Sequence, residues 1–123
     1  MPVTSIADAA YLTAVLTLYV ALPDTPHRAS SYDKAVARSL FEQGVALDVI
    51  EAALLLGSLR RCARPQVALA LGRIRSLAYF SPVIDELQRQ PMPAGYLDYL
   101  RLKARQTFPL DVPQTAVHAR APR

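Results

Sequence analysis

The chain has no tryptophan, two methionines, four glycines and a single cysteine in 123 residues, and each shortage excludes something. One thiol, Cys62, forms neither an internal disulfide nor a cysteine-rich zinc site, which suits a reducing compartment. Few glycines and few clusters of β-branched residues, set against long runs rich in Ala, Leu, Arg and Glu, favour helix over strand. Long hydrophobic runs are also missing. The stretch most like a membrane segment, residues 9–22 (AAYLTAVLTLYVAL), is 14 residues long and too short to span a bilayer. It follows Asp8 rather than a basic segment, unlike a signal peptide. A core helix of a soluble, cytoplasmic protein with no membrane partner is expected there.

Acid is scarce in one place. No Asp or Glu occurs from Arg60 to Ile84, whereas Arg60, Arg61, Arg64, Arg73 and Arg75 all fall in that span. Residues 1–59 carry three basic against six acidic side chains, a net −3. Residues 60–123 carry eleven against four, a net +7, and the two add to +4 for the chain. Charge of one sign gathered in one segment points to a polyanion, most commonly nucleic acid.

What is present is apolar: 52% of residues, enough for a packed core in one domain. Thr4 or Ser5 caps a first helix that runs to about Leu22, where Pro23 stops it. Its stripe is Ile6, Ala9, Leu12, Val15, Leu16 and Tyr19. After a loop over Pro23–Ser30, a second helix runs from Ser30 or Ser31 to about Gln43, with Tyr32, Ala35, Val36, Leu40 and Phe41 inward. Gly44 takes the left-handed position that closes it. The third helix, about Ala46 to Cys62, is apolar nearly all round and should be the central one. Residues 65–75 read either as a short helix or as an irregular connection. Ser76 caps the next helix, with Leu77, Tyr79, Phe80, Val83, Ile84 and Leu87 inward. Pro82 either kinks it or marks a fresh start at Ser81. The last helix begins at Pro93 and runs to about Gln106, with Tyr96, Leu97, Leu100 and Leu102 as apolar contacts. The proline-rich tail after Phe108 has little to bury.

Several arrangements bear on function. A helix-turn-helix over residues 36–55 would present Asp48 and Glu51 to phosphates, which favours an ordinary helical hairpin. Arg60, Arg61 and Arg64 at the end of the third helix would meet Arg73 and Arg75 beside the backbone donors at Ser76. Guanidinium forks and free N–H groups both bind phosphate oxygens. The alternative is a solvated face that offsets the helix dipole. Arg101, Lys103 and Arg105 fan around the last helix and extend the patch. Tyr96 and Tyr99 are either base-stacking platforms or rim tyrosines. His27 and His118 have no nucleophile near them in sequence. Asp85 and Glu86, adjacent on a helix, diverge by about 100° and make no acid dyad.

The segment Leu40–Leu59 (LFEQGVALDVIEAALLLGSL), followed by Arg75–Leu87 (RSLAYFSPVIDEL), resembles the C-terminal DnaD-like domain of bacterial and phage replication initiators and helicase loaders. In that domain a helix ends in Gly, an apolar-acidic helix follows, and a Leu-x-Tyr-aromatic run opens the final core helix. Gly44, Leu47, Ile50, Ala53, Leu77, Tyr79, Phe80 and Ile84 occupy the corresponding places. The resemblance covers about half the chain. It extends to small proteins encoded within bacterial mobile elements. The family domain usually has a Trp after its Tyr run, and this chain has none. The resemblance implies a helper in replication or recombination that binds DNA and protein partners.

The expectation is therefore a compact, all-α, single-domain bundle of about five helices over residues 1–108, with a disordered tail over 109–123. It would work without catalysis, metal or cofactor. It would hold the backbone of nucleic acid, DNA before RNA, on Arg60, Arg61, Arg64, Arg73 and Arg75, extended by Arg101, Lys103 and Arg105. A larger replication or recombination protein is a second partner. Reversing Arg61 and Arg64 to Glu is expected to abolish binding at unchanged helical content. The rival is an adaptor or homo-oligomer whose acidic and basic halves pair between copies.

Overall fold

The computed structural model describes residues 6–63 and 72–108 of the chain. Thr4, Ser5, Arg64, residues 65–71 of the undecided stretch 65–75 and the tail 109–123, with His118, lie outside the described residues. Among those described, five α-helices and one 3-10 turn make up the architecture, and there is no strand. The helices are α1 (Ile6–Val20), α2 (Ser31–Glu42), α3 (Leu47–Cys62), α4 (Ser81–Arg89) and α5 (Tyr96–Thr107). The 3-10 turn, Leu77–Phe80, leads directly into α4.

Helix α3 is the centre. Ile50, Ala52, Ala53, Leu54, Leu55, Gly57 and Ser58 are all buried, which is why its sequence shows no polar stripe. It packs against α1, α4, α5 and the 3-10 turn, while α2 covers α1. The closest approach is at Gly57. A Cβ there would stand 2.8 Å from Phe80 Cδ1, so only glycine lets the Phe80 ring lie against the helix. Phe80, Tyr19, Leu77, Ile84 and Leu100 complete the core around it.

The boundaries follow local chemistry, with several corrections to the expectation. Helix α1 ends at Val20, two residues early, and Leu22 N–H closes a tight turn onto Tyr19 O at 3.2 Å. Ala9, expected inward, is exposed. Gly44 adopts φ +78 and the chain turns directly into α3. Pro82 stands in the first turn of a helix that restarts at Ser81, where its missing N–H costs nothing. Helix α5 starts at Tyr96 and not at Pro93. Gly95, at φ +83, cannot sit within a helix, so residues 93–95 form the turn that precedes it.

The inward face of α2 also departs in part from the expected one. Tyr32 is 59% exposed and Ala35 is exposed, while Asp33, Ala37 and Leu40 are buried. Val36 and Leu40 keep their expected inward places. Asp33 lies at the N-terminal turn, where its backbone N–H donates to Ser30 Oγ at 3.0 Å and its Oδ2 accepts from Ser30 N–H at 2.9 Å, a reciprocal cap. Its Oδ1 accepts from Leu77 N–H at 2.9 Å, which holds this carboxylate inside. Tyr79 and Leu102 likewise stand at the surface instead of in the core, 44% and 47% exposed. Among the described residues no helix is long and apolar enough to cross a membrane.

Candidate nucleic-acid interface

The C-terminal end of α3 carries the first two arginines, and both are engaged within the molecule. Arg60 forms a two-pronged ion pair with Glu86 of α4, at 2.9 and 2.8 Å. That hydrogen bonding raises the Arg60 pKa and holds the Glu86 carboxyl below its usual range. Arg61 is a structural tie. Its guanidinium donates to Gly72 O at 2.9 Å, Tyr79 Oη at 3.1 Å and Asp24 Oδ2 at 3.2 Å, and it lies 5.3 Å from the Tyr79 ring centroid. Only 10% of its side chain is exposed. Burial pulls its pKa down, and the hydrogen bonds to Tyr79 and Asp24 outweigh that and raise it. Replacing Arg61 with Glu places one carboxylate beside another and beside a carbonyl oxygen. That substitution is therefore expected to cost stability as well as charge, so Arg61 is a poor probe of binding alone.

The segment 72–76 runs extended between α3 and the 3-10 turn, pinned by Ile74 N–H to Asp24 O at 2.9 Å. Ile74 is buried, while Arg73 and Arg75 on either side are exposed. Arg73 donates to Thr25 O at 3.1 Å, which positions its guanidinium, and no carboxylate among the described residues pairs with it. The phosphate-binding helix start expected at Ser76 does not exist. The element there is a single 3-10 turn, and its Leu77 N–H donates to Asp33 Oδ1 at 2.9 Å, deep in the protein. Asp33, 0% exposed, thereby joins the cap of α2 to the entry of α4. Tyr19, also fully buried, has its pKa raised to about 12 by desolvation and by the Asp33 charge.

On α5 the three basic residues diverge, as their alternate spacing requires. Arg101 turns back onto α3 and makes two 2.7 Å bonds to Glu51, with Asp98 at 3.3 Å. The Glu51 bonds drive its pKa upward. Lys103 and Arg105 are exposed and, among the described residues, in no ion pair. Between α5 and the end of α3 lies an open groove of about 430 Å³. Leu56, Leu59 and Leu100 give it apolar walls, and Lys103, Tyr96 and Tyr99 stand around it. The two tyrosine rings are 22° from parallel with centroids 6.2 Å apart, and Tyr99 is 53% exposed. Cys62 is exposed and lines the same groove.

The eight basic candidates thus divide. Among the described residues Arg60, Arg61 and Arg101 are matched by carboxylates and Arg73, Arg75, Lys103 and Arg105 are not, while Arg64 lies outside them. Helix α3, which a helix-turn-helix would place in a groove of DNA, is the buried centre of the bundle. Among the described residues no three His, Cys, Asp or Glu side chains gather into a metal-binding set. Sequence alone gave no sign of the groove, because its walls come from positions about 40 residues apart, a relation only packing creates. The stacked Tyr96 and Tyr99 were visible as a pair. Comparison of the chain with protein-family models, with curated proteins and with solved structures finds no match.

Proposed function

We propose that this chain is a non-catalytic nucleic-acid-binding accessory protein that holds phosphate backbone on the exposed cations of its second half. The observation that carries this is what remains after internal pairing. Among the described residues Arg73, Arg75, Lys103 and Arg105 have no carboxylate partner, whereas Glu86 and Asp98 are in ion pairs and Asp85 alone of the acids in 72–108 is not. Exposed guanidinium and ammonium groups bind backbone with little regard to sequence and with strong salt dependence. DNA is the first candidate polymer. A helper role in replication or recombination of a bacterial mobile element rests on the resemblance of Leu40–Leu59 and Arg75–Leu87 to the DnaD-like domain.

The test uses exposed residues only. Arg75→Glu and Arg105→Glu together should leave the helical circular-dichroism spectrum unchanged and abolish binding of a labelled DNA strand in fluorescence anisotropy. Retained affinity in the folded double variant would remove these cations from the interface.

A second reading is favoured by one observation. Tyr99 and Leu102, three residues apart on α5, are 53% and 47% exposed, an apolar strip suited to a protein partner or a second copy. The charge-split version of that idea loses material, because Asp24 and Glu51 of the acidic half already pair with Arg61 and Arg101 within one chain. An elution volume that shifts with salt would favour self-assembly; a constant monomer would favour nucleic acid.

A further inference from the structure

We infer that the groove between α3 and α5 receives an unpaired base of single-stranded nucleic acid, stacked on Tyr99, with the adjoining phosphate on Lys103. This rests on the nucleic-acid proposal and narrows it to one polymer form and one place.

Three features of the groove converge. First, its walls are apolar, with Leu56, Leu59 and Leu100 contributing, and its volume of about 430 Å³ lies within the roughly 300–1,000 Å³ of sites that enclose small organic groups. Second, Tyr99 is half exposed at its side and is backed by Tyr96, 22° from parallel. An aromatic ring held in a set orientation offers a face on which any base can stack. Third, the charge is right. Among the described residues no acidic side chain lines the groove. Arg60 is offset by Glu86, and Lys103 supplies the uncompensated cation beside the tyrosines.

A duplex does not meet these terms. Its bases are stacked on one another and present edges only, so an apolar slot with an aromatic wall gains nothing from it. A strand with splayed bases supplies both the ring and the phosphate that the groove matches.

The chain itself supplies a reporter. Cys62 is its single cysteine, is exposed and lines the groove, so the rate at which a thiol reagent modifies it reads occupancy of this place and no other. The experiment measures that rate in the full chain with and without oligothymidine, beside anisotropy of the same labelled strand and of a duplex of equal length. Single strand should bind more tightly than duplex and should slow Cys62 modification at saturation. Tyr99→Ala should weaken single-strand binding on the order of tenfold to a hundredfold, and Tyr99→Phe should restore it. Lys103→Gln should reduce the salt slope by about 0.7. An oligoribouridine of equal length, if bound with the same protection, supports the same site.

Three results overturn the inference and are distinguishable from one another. If single strand and duplex bind equally, with Cys62 unprotected and Tyr99→Ala without effect, the groove is not the place and the backbone-binding proposal stands alone. If no nucleic acid binds at low salt, both fall. Protection of Cys62 that follows protein concentration and not the strand would assign the groove to a second copy of the chain.

Discussion

Replacing Asp33 with Asn is the sharpest probe of how this fold is held together. The carboxylate accepts two backbone N–H groups, Ser30 at 2.9 Å on Oδ2 and Leu77 at 2.9 Å on Oδ1, and is 0% exposed. Asn keeps the size and one accepting oxygen but turns the second into an NH2 donor facing another donor. One buried N–H is then orphaned, which costs about 1–3 kcal/mol, and the surviving bond loses its charge assistance. Relief of a buried charge works in the opposite direction. Both carboxylate oxygens are satisfied by N–H groups here, so that relief is the smaller effect and a net loss of about 2 kcal/mol is expected. With a urea m-value of about 1–3 kcal/mol/M, the unfolding midpoint should fall by roughly 1 M. Asp33→Ala orphans both donors and should fall further. An Asn variant within about 0.5 kcal/mol of the parent, at unchanged m, would refute the reasoning.

Two further outcomes are expected. Gly57→Ala should destabilise the protein: the added Cβ meets Phe80 Cδ1 at 2.8 Å, and overpacking of about 1–3 kcal/mol exceeds the roughly 1 kcal/mol gained in helix propensity. Adding Phe80→Leu should recover part of the loss, which denaturation of the double variant reads as non-additivity; a stabilised single variant would contradict the close contact. With the Tyr19 pKa raised from 10.0 to about 12, the folded state holds its phenol proton more tightly than the unfolded chain. The Tyr19 contribution to stability should therefore be constant below pH 10 and be lost as pH rises from 10 to 12. Tyr19→Phe should flatten that decline in an alkaline series of melting curves.

What could be read from sequence here was whatever depends on neighbours along the chain. The all-round apolar character of residues 49–59 marked α3 as the buried centre, Gly44 marked the turn before it, and Pro82 offered the restart that occurs at Ser81. The capping pattern Ser30-x-x-Asp33 was present too, but the burial of Asp33 depends on Leu77 N–H, 44 positions away, and could not be read from it. Glu51 and Arg101 are 50 positions apart and Arg60 and Glu86 are 26 apart, so nothing local announces that these charges are spent on each other. The acidic first half and basic second half suggested surfaces facing outward, and the fold instead closes part of one onto the other through Asp24–Arg61 and Glu51–Arg101. Exposure of Tyr99 and its place beside the groove depend in the same way on how α5 docks on α3.

The most direct test of the functional account is anisotropy of labelled single- and double-stranded DNA against the purified chain across a salt series. Binding at micromolar concentration or tighter, with affinity falling steeply as salt rises, is the expected result. Absence of binding to either form at low salt, where contacts to phosphate are strongest, would contradict it.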